Sequence, residues 1–169
     1  MIAGPSGRGY TARCTDGKAG GVRVVDLERG RIEGVECIPL IRHTDDRGWL
    51  VEIARAAKAD GRHSVVDRFG QVYLVESPAR GTIRGFHKHE ILWDYFFVSN
   101  GSAKVILVDD RSEGDGERTM QEVVLSAISP QLLVVPPGVF HGWMSLEDHT
   151  RLVSIARDRK STRLNSSHT

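Results

Sequence analysis

Three histidines are the residues of this sequence whose types and spacing could support chemistry. His87 and His89 are separated by one residue inside a run that reads as a β-strand, so both side chains are expected on one face of that strand. His141 follows the turn-forming segment 136–138, which comes directly after an apolar run at 131–135. Neighbouring imidazoles are suited either to proton transfer or to metal binding. We therefore expect these two segments to converge on one pocket.

Short β-strands are the elements that would position these histidines. Eighteen glycines are distributed among short β-rich runs, a composition typical of an all-β sandwich or barrel with little helix. Asn100-Gly101, between two apolar runs, predicts a tight hairpin turn, and the Ala/Lys-rich segment 54–61 predicts one or two helical turns. Alternation and turn residues predict roughly ten strands. These fall at 22–27, 35–42, 49–54, 71–76, 82–89, 95–100, 104–109, 120–126, 132–135, 143–146 and 152–156.

Length and composition restrict the domain organisation and the partners. At 169 residues the chain is long enough for one domain with its own core. We expect that domain at 21–158, a disordered leader at 1–20 and a disordered or non-native tail at 159–169. A formal net charge of +1 gives no reason to expect nucleic-acid or membrane binding. Cys14 and Cys37 are too few for a disulfide framework, and no membrane-spanning run or signal-peptide pattern is seen, so a cytoplasmic protein is expected.

Several motifs in this order resemble those of a known family. The chain resembles the cupin superfamily through two motifs, which are Gly81-x5-His87-x-His89-x4-Asp94-x6-Gly101 and Pro136-x-Gly138-x2-His141. Within the cupins, the chain is similar to the dTDP-4-dehydrorhamnose 3,5-epimerase family over about residues 35–157. The matching segments are Asp45-Asp46-Arg47-Gly48-Trp49-Leu50-Val51-Glu52, Ile83-Arg84-Gly85-Phe86-His87 and Pro136-Pro137-Gly138-Val139-Phe140-His141-Gly142-Trp143, with Gln71 at the usual distance before Arg84.

This resemblance implies a fold, a reaction and a set of site residues. The implied fold is a cupin-type antiparallel β-barrel (jelly roll), in a homodimer that exchanges N-terminal strands near 22–27. The implied reaction is epimerisation of a 4-keto-6-deoxy nucleotide-diphosphate sugar without a cofactor, in polysaccharide or glycoside biosynthesis. A histidine base removes the acidic proton beside the ketone, and polar groups stabilise the enolate. The resemblance makes His87 the base, and it implies that Arg84 and His141 line the sugar pocket and that Arg47, Glu52 and Gln71 contact the nucleotide and diphosphate. We count His141 and Asp94 with His87 as catalytic, since a pocket carboxylate can orient a histidine. We expect His89 and Tyr95 to contact substrate.

Three features differ from the family pattern and leave alternatives open. Asp94 aligns with the family's usual lysine, and Ser154 aligns with the tyrosine that acts as its general acid. The aspartate that usually pairs with the catalytic histidine falls where the expected non-native tail stands, so Glu90 or Asp94 could replace it. A single epimerisation or a 3,4-keto-isomerisation is therefore an alternative, and Tyr73 or Trp93 could supply further pocket contacts. A second alternative is a metal-dependent cupin enzyme, since His87, His89, Asp94 and His141 form a ligand set suited to Zn, Fe, Mn or Ni. A third is a non-catalytic sugar-binding cupin.

Overall fold

A computed structural model describes residues 27–54, 70–111 and 118–158, and these residues form an all-β structure. Two five-stranded sheets contain all the strands except β3 and β4, which pair only with each other. The first sheet has the order β1-β9-β8-β11-β6 and the second the order β2-β10-β7-β12-β5. The strands are β1 (Leu27–Arg29), β2 (Glu36–Pro39), β3 (Arg42–Asp45), β4 (Gly48–Val51), β5 (Gln71–Ser77), β6 (Ile83–His87), β7 (Leu92–Asn100), β8 (Ser102–Asp109), β9 (Arg118–Ser126), β10 (Gln131–Val135), β11 (Val139–Ser145) and β12 (Thr150–Asp158).

Strand pairing is antiparallel except between β1 and β9, which are parallel. The prediction of an all-β antiparallel jelly roll is thus confirmed, with no helix in the described ranges. Within those ranges, nothing resembling a long apolar membrane-crossing helix is found. The predicted helical turn at 54–61 lies outside the described residues apart from Ala54. The proposed leader, the proposed tail and almost all of the strand expected at 22–27 also lie outside them.

The hydrophobic core follows the period-two alternation of the strands. On β8, Ala103, Val105 and Leu107 are fully buried while the residues between them are partly exposed. Strand β7 is buried on both faces, because one face packs into the main core cluster and the other packs into a second cluster that includes residues from 38–54. Phe96 belongs to the main core cluster and Phe97 belongs to a second cluster. A strand covered on both sides must be apolar almost throughout, which explains the run from Tyr95 to Val98.

The predicted hairpin at Asn100-Gly101 is wrong. Strands β7 and β8 flank this dipeptide, but they belong to different sheets and do not pair. The dipeptide is a corner that carries the chain from one sheet to the other, and Gly101 has a φ of 71°. Thr150 lies against this corner, so that a Cβ on Gly101 would be 2.8 Å from its Oγ1. A turn signal alone does not distinguish these cases, because pairing depends on which distant strands lie on each side.

Candidate active site

A cavity of about 470 Å³ lies between the two sheets, near the edge formed by β5 and β6. Its lining includes residues from both sheets, and those of the second sheet lie at alternate positions along each strand. The second sheet contributes side chains from β5, β7 and β12, and the first contributes them from β6 and β11. The lining residues are Gln71, Tyr73, Val75, Arg84, His87, His89, Leu92, Asp94, Phe96, His141, Gly142, Trp143, Leu152, Ser154 and Ala156.

The three predicted histidines meet in this cavity. His141 of β11 is directly opposite His87 of β6 in the strand register, and their ring centroids are 6.3 Å apart. His89 lies just beyond the end of β6, whereas a strand was predicted through that residue, and its ring centroid is 5.6 Å from that of His141. The expected convergence of the two motifs is present, although His89 is positioned by a loop.

Arg84 also enters the cavity, although simple alternation would place it on the opposite face from His87. Along β11 the partners of His87 and Arg84 are His141 and Trp143. His87 and Arg84 are three residues apart on β6, but their partners are two residues apart on β11. This extra residue defines a bulge in β6. The extra residue turns Arg84 and His87 to the same side. The Arg84 guanidinium is held by donating to the Ser77 Oγ at 3.3 Å and the Glu76 carbonyl at 2.9 Å.

Close contact between two glycines makes this bulge possible. Gly85 has a φ of 132°, a region that favours glycine. A Cβ at Gly85 would lie 2.6 Å from the Gly142 Cα on β11. The Arg-Gly-x-His and His-Gly motifs thus supply two glycines at one point of backbone contact, and this contact sets the direction of the neighbouring Arg84 and His87 side chains.

Asp94 forms a buried cluster with two of the histidines. Its side chain is 2% exposed, and its Oδ2 lies 3.5 Å from the His89 Nε2 and 3.7 Å from the His141 Nε2. Burial raises the pKa of Asp94 to about 7. Burial lowers the pKa of His141 to about 4 and, together with the nearby His87, lowers that of His89. Each shift favours the uncharged form of its group, so burial favours a neutral carboxylic acid beside neutral imidazoles.

The backbone assigns the tautomer of His141. Its Nδ1 lies 3.1 Å from the Val139 carbonyl oxygen, and a carbonyl can only accept a hydrogen bond. The Nδ1 therefore carries the proton, and the Nε2, which faces Asp94, is an acceptor. The Asp94 Oδ2 faces this Nε2 at 3.7 Å, just beyond hydrogen-bond distance.

The same acceptor geometry also suits a metal ion. Ligand atoms of His89, Asp94 and His141 all lie within 4.8 Å of one another. Two imidazole nitrogens and one carboxylate oxygen are a donor set found in zinc and iron sites. His87, the fourth predicted ligand, does not belong to this group.

Three predicted substrate-binding residues do not line the cavity. Arg47 is on the β3–β4 hairpin, where it pairs with Asp45 through a 3.1 Å contact between its Nε and the carboxylate Oδ2. Glu52 follows that hairpin and is exposed. Tyr95 is buried in the second core cluster, on the opposite face of β7 from Asp94. The prediction that Tyr95 contacts substrate is therefore corrected, because alternation turns its ring away from the cavity.

Other lining residues were not predicted as site residues, or only in passing. Tyr73 lines the cavity, whereas Trp93 packs against the second core cluster. The apolar walls were missed; among them, Phe96 packs edge-on against His141 with ring centroids 5.4 Å apart. Period-two alternation starting from Asp94 would have identified Leu92 and Phe96 on the same strand. The apolar side chains that line the cavity are Val75, Leu92, Phe96, Trp143, Leu152 and Ala156.

Solved structures with this fold include two sugar-modifying enzymes. ChmJ, a 3'-monoepimerase from Streptomyces bikiniensis in complex with dTDP-quinovose, matches with a TM-score of 0.65 at 24% identity, over 79% of this chain and 69% of ChmJ. A mutant of QdtA, a 3,4-ketoisomerase from Thermoanaerobacterium thermosaccharolyticum in complex with TDP-4-keto-6-deoxyglucose, matches with a TM-score of 0.59 at 19% identity, over 78% of this chain and 86% of QdtA. At these identities the likeness establishes the fold.

Sequence comparison establishes the family. The chain is 33% identical over 115 residues to the spore coat polysaccharide biosynthesis protein SpsL of Bacillus subtilis (strain 168), covering 68% of this chain and 72% of SpsL. Residues 29–163 match the family model for dTDP-4-dehydrorhamnose 3,5-epimerase. This match contains the Arg-Gly-x-His and His-Gly segments that build the cavity. The chain therefore belongs to the dTDP-4-dehydrorhamnose 3,5-epimerase family.

Proposed function

We propose that this protein is a nucleotide-sugar epimerase that removes the proton beside the ketone of a 4-keto-6-deoxy nucleotide sugar. The observation that carries the proposal is the bulge in β6, which turns Arg84 and His87 into the cavity that also holds His141. A base and a cation are thereby available to one ligand. The family match and the nucleotide-sugar complexes of ChmJ and QdtA support this substrate class.

Each polar group in the cavity has a role in this proposal. His87 is the base, because its imidazole lines the cavity without belonging to the buried Asp94 cluster. Arg84 binds a diphosphate or sugar oxygen, a task for which a guanidinium fork is well suited. Burial favours the neutral forms of Asp94 and His141, so the interior presents no fixed negative charge to the developing enolate. Gln71, at the cavity wall, hydrogen-bonds substrate.

Proton exchange with solvent tests this proposal directly. Chelator-treated protein is incubated with dTDP-4-keto-6-deoxyglucose in deuterated water, and the C3 and C5 proton signals are followed by NMR. Loss of one signal indicates proton removal at one carbon, and loss of both indicates proton removal at two. We expect His87→Ala to slow the exchange by a factor of roughly 10² to 10⁴, the usual contribution of general base catalysis.

The surface residue His149 provides a matched control. It pairs with Glu76 at 3.1 Å and is absent from the cavity lining. His149→Ala should therefore exchange the substrate protons at the rate of the unchanged protein. Exchange that persists undiminished in His87→Ala contradicts the assignment of His87 as the base.

A metal-dependent enzyme is the second candidate function, and the cluster of His89, Asp94 and His141 is the observation that favours it. A metal bound there would act as a Lewis acid towards a substrate oxygen. Metal content after dialysis, measured by mass spectrometry, separates the two candidates when it is compared with activity. Activity that is lost with the chelator and restored by one divalent metal favours this second candidate. Nucleotide-sugar binding with no exchange under either condition would instead indicate a non-catalytic member.

We also propose that the protein is a cytoplasmic homodimer, as the family resemblance implies. The β3–β4 hairpin supports the dimer, because it joins neither main sheet and presents Ile41, Trp49 and Leu50 with 72%, 55% and 62% of their surfaces exposed. Apolar residues grouped in this way favour contact with another surface. Light scattering after size-exclusion chromatography measures the mass, and a single species near 18.7 kDa would contradict the dimer.

A further inference from the structure

Tyr73 and His87 occupy opposite walls of the cavity. Tyr73 is on β5 at the edge of the second sheet, and His87 is on β6 at the matching edge of the first. The two strands are joined by the short turn 78–82, and the contact between Arg84 and Ser77 holds them together beside it. Tyr73 lies four residues before the end of β5, and His87 lies four residues after the start of β6. Both side chains line the cavity, at similar distances from the turn.

On the cavity wall formed by the second sheet, Tyr73 is better suited than its neighbour Ser154 to donate a proton. Ser154 pairs directly with Tyr73 in the β5–β12 register, so their Cβ atoms are expected about 4.5 to 5.5 Å apart. The Ser154 side chain is 1% exposed, and its Oγ has no hydrogen-bond partner among the described residues. An aliphatic hydroxyl is a weaker acid than a phenol, and its short side chain leaves space in front of it. Tyr73 is 42% exposed and lines the same cavity.

Inversion at carbon requires a proton to leave on one face and to return on the other. A base alone can remove the proton and put it back, which regenerates the starting sugar. A donor on the opposite wall is therefore the component that converts exchange into epimerisation. Tyr73 is the tyrosine among the residues that line the cavity. It lies on the second sheet, which faces the sheet that carries His87.

We propose that Tyr73 is a catalytic residue that donates the proton which completes inversion, an inference that rests on the proposed function. The His87 imidazole takes the substrate proton, and the electron pair of the broken C–H bond forms the enolate. The enolate electrons then form a new C–H bond with the Tyr73 hydroxyl proton, and the ketone is restored. The cycle leaves a phenolate at Tyr73 and a proton on His87. Exchange with solvent water returns both groups to their starting forms.

Tyr73→Phe separates exchange from inversion. The substitution keeps the ring and removes only the hydroxyl, and the NMR experiment in deuterated water reports both processes on one sample. We expect deuterium incorporation at the substrate carbon to continue within a few-fold of the unchanged protein, because His87 still removes and returns a proton on its own face. Formation of the epimer should fall by a factor of roughly 10² or more, the contribution typical of a general acid.

Tyr95→Phe is the matched control, since it makes the same chemical change on the opposite face of the second sheet. It should keep the ratio of inversion to exchange found for the unchanged protein. Inversion at the full rate in Tyr73→Phe overturns the role of Tyr73 and leaves the proposed function intact. Loss of exchange together with inversion also overturns it, because the hydroxyl would then be needed before protonation. An unchanged protein that neither exchanges nor inverts overturns the proposed function itself.

Discussion

Asp94→Asn tests whether a neutral carboxyl lies at the centre of the site. Asparagine has nearly the same shape but cannot ionise, so it removes the cost of burying a charge. Burial raises the pKa of Asp94 from 3.8 to about 7. The folded state then binds more protons than the unfolded state between these two values. The stabilising contribution of the protonated group is present below pH 3.8 and is lost as the pH rises to about 7.

The size of this effect follows from the pKa shift. Each pKa unit corresponds to about 1.4 kcal/mol, so the span from pH 5 to pH 7 corresponds to a loss of about 3 kcal/mol in the unchanged protein. The Asp94→Asn variant cannot ionise at this position, so its unfolding free energy does not fall in this way between pH 5 and pH 7. The difference in unfolding free energy between variant and unchanged protein should therefore shift by about 3 kcal/mol in favour of the variant between pH 5 and pH 8.

Urea denaturation at several pH values, with a chelator present, measures this difference. Asp109→Asn is the control, because the hydrogen bonds donated by Arg111 lower the pKa of Asp109. That group titrates below pH 4, so its variant should differ from the unchanged protein by a constant amount over the same range. A constant difference for Asp94→Asn as well would refute the reasoning. Asp94 would then be ionised throughout and would be paired with a protonated histidine.

The remaining predictions concern the bulge, the core and the proposed substrate-binding role of Arg84. Gly85→Ala should destabilise the protein by about 1–3 kcal/mol, because the added Cβ would lie 2.6 Å from the Gly142 Cα. Gly81→Ala should cost less, since nothing lies within 4 Å of its added Cβ. Thermal unfolding compares the stabilities of the two variants. Leu133→Ala should cost about 2–5 kcal/mol in urea unfolding, since this side chain is fully buried in the core, and a smaller loss would show that the cavity collapses. Arg84→Lys should raise the KM by roughly tenfold with a smaller effect on kcat, because lysine lacks the planar fork. Steady-state kinetics over a range of substrate concentrations distinguish the two effects, and an unchanged KM would contradict substrate binding by Arg84.

The sequence predicted the fold and the histidine cluster because both depend on local patterns. Alternation located the strands, and the spacing of His87, His89 and His141 identified a shared pocket. The failures have a common physical cause. The bulge that turns Arg84 inward depends on contact between Gly85 and Gly142, which are distant in sequence, and the corner at Gly101 depends on which strands lie beside β7 and β8. Tyr95 was misassigned because being next to Asp94 in sequence places it on the other face of the strand.

The pairing of distant strands has a consequence for how the chain folds. Strand β2 pairs with β10, and β5 pairs with β12. Two strands of the first half of the chain therefore acquire their sheet neighbours only from strands of the second half. Loop closure must therefore precede most of the stabilising contacts, a situation associated with folding times of milliseconds to seconds. During synthesis, β2 and β5 have to wait for β10 and β12 to emerge. Conditions that slow aggregation, such as low expression temperature, should raise the yield of folded protein more than they would for a helical bundle of equal length.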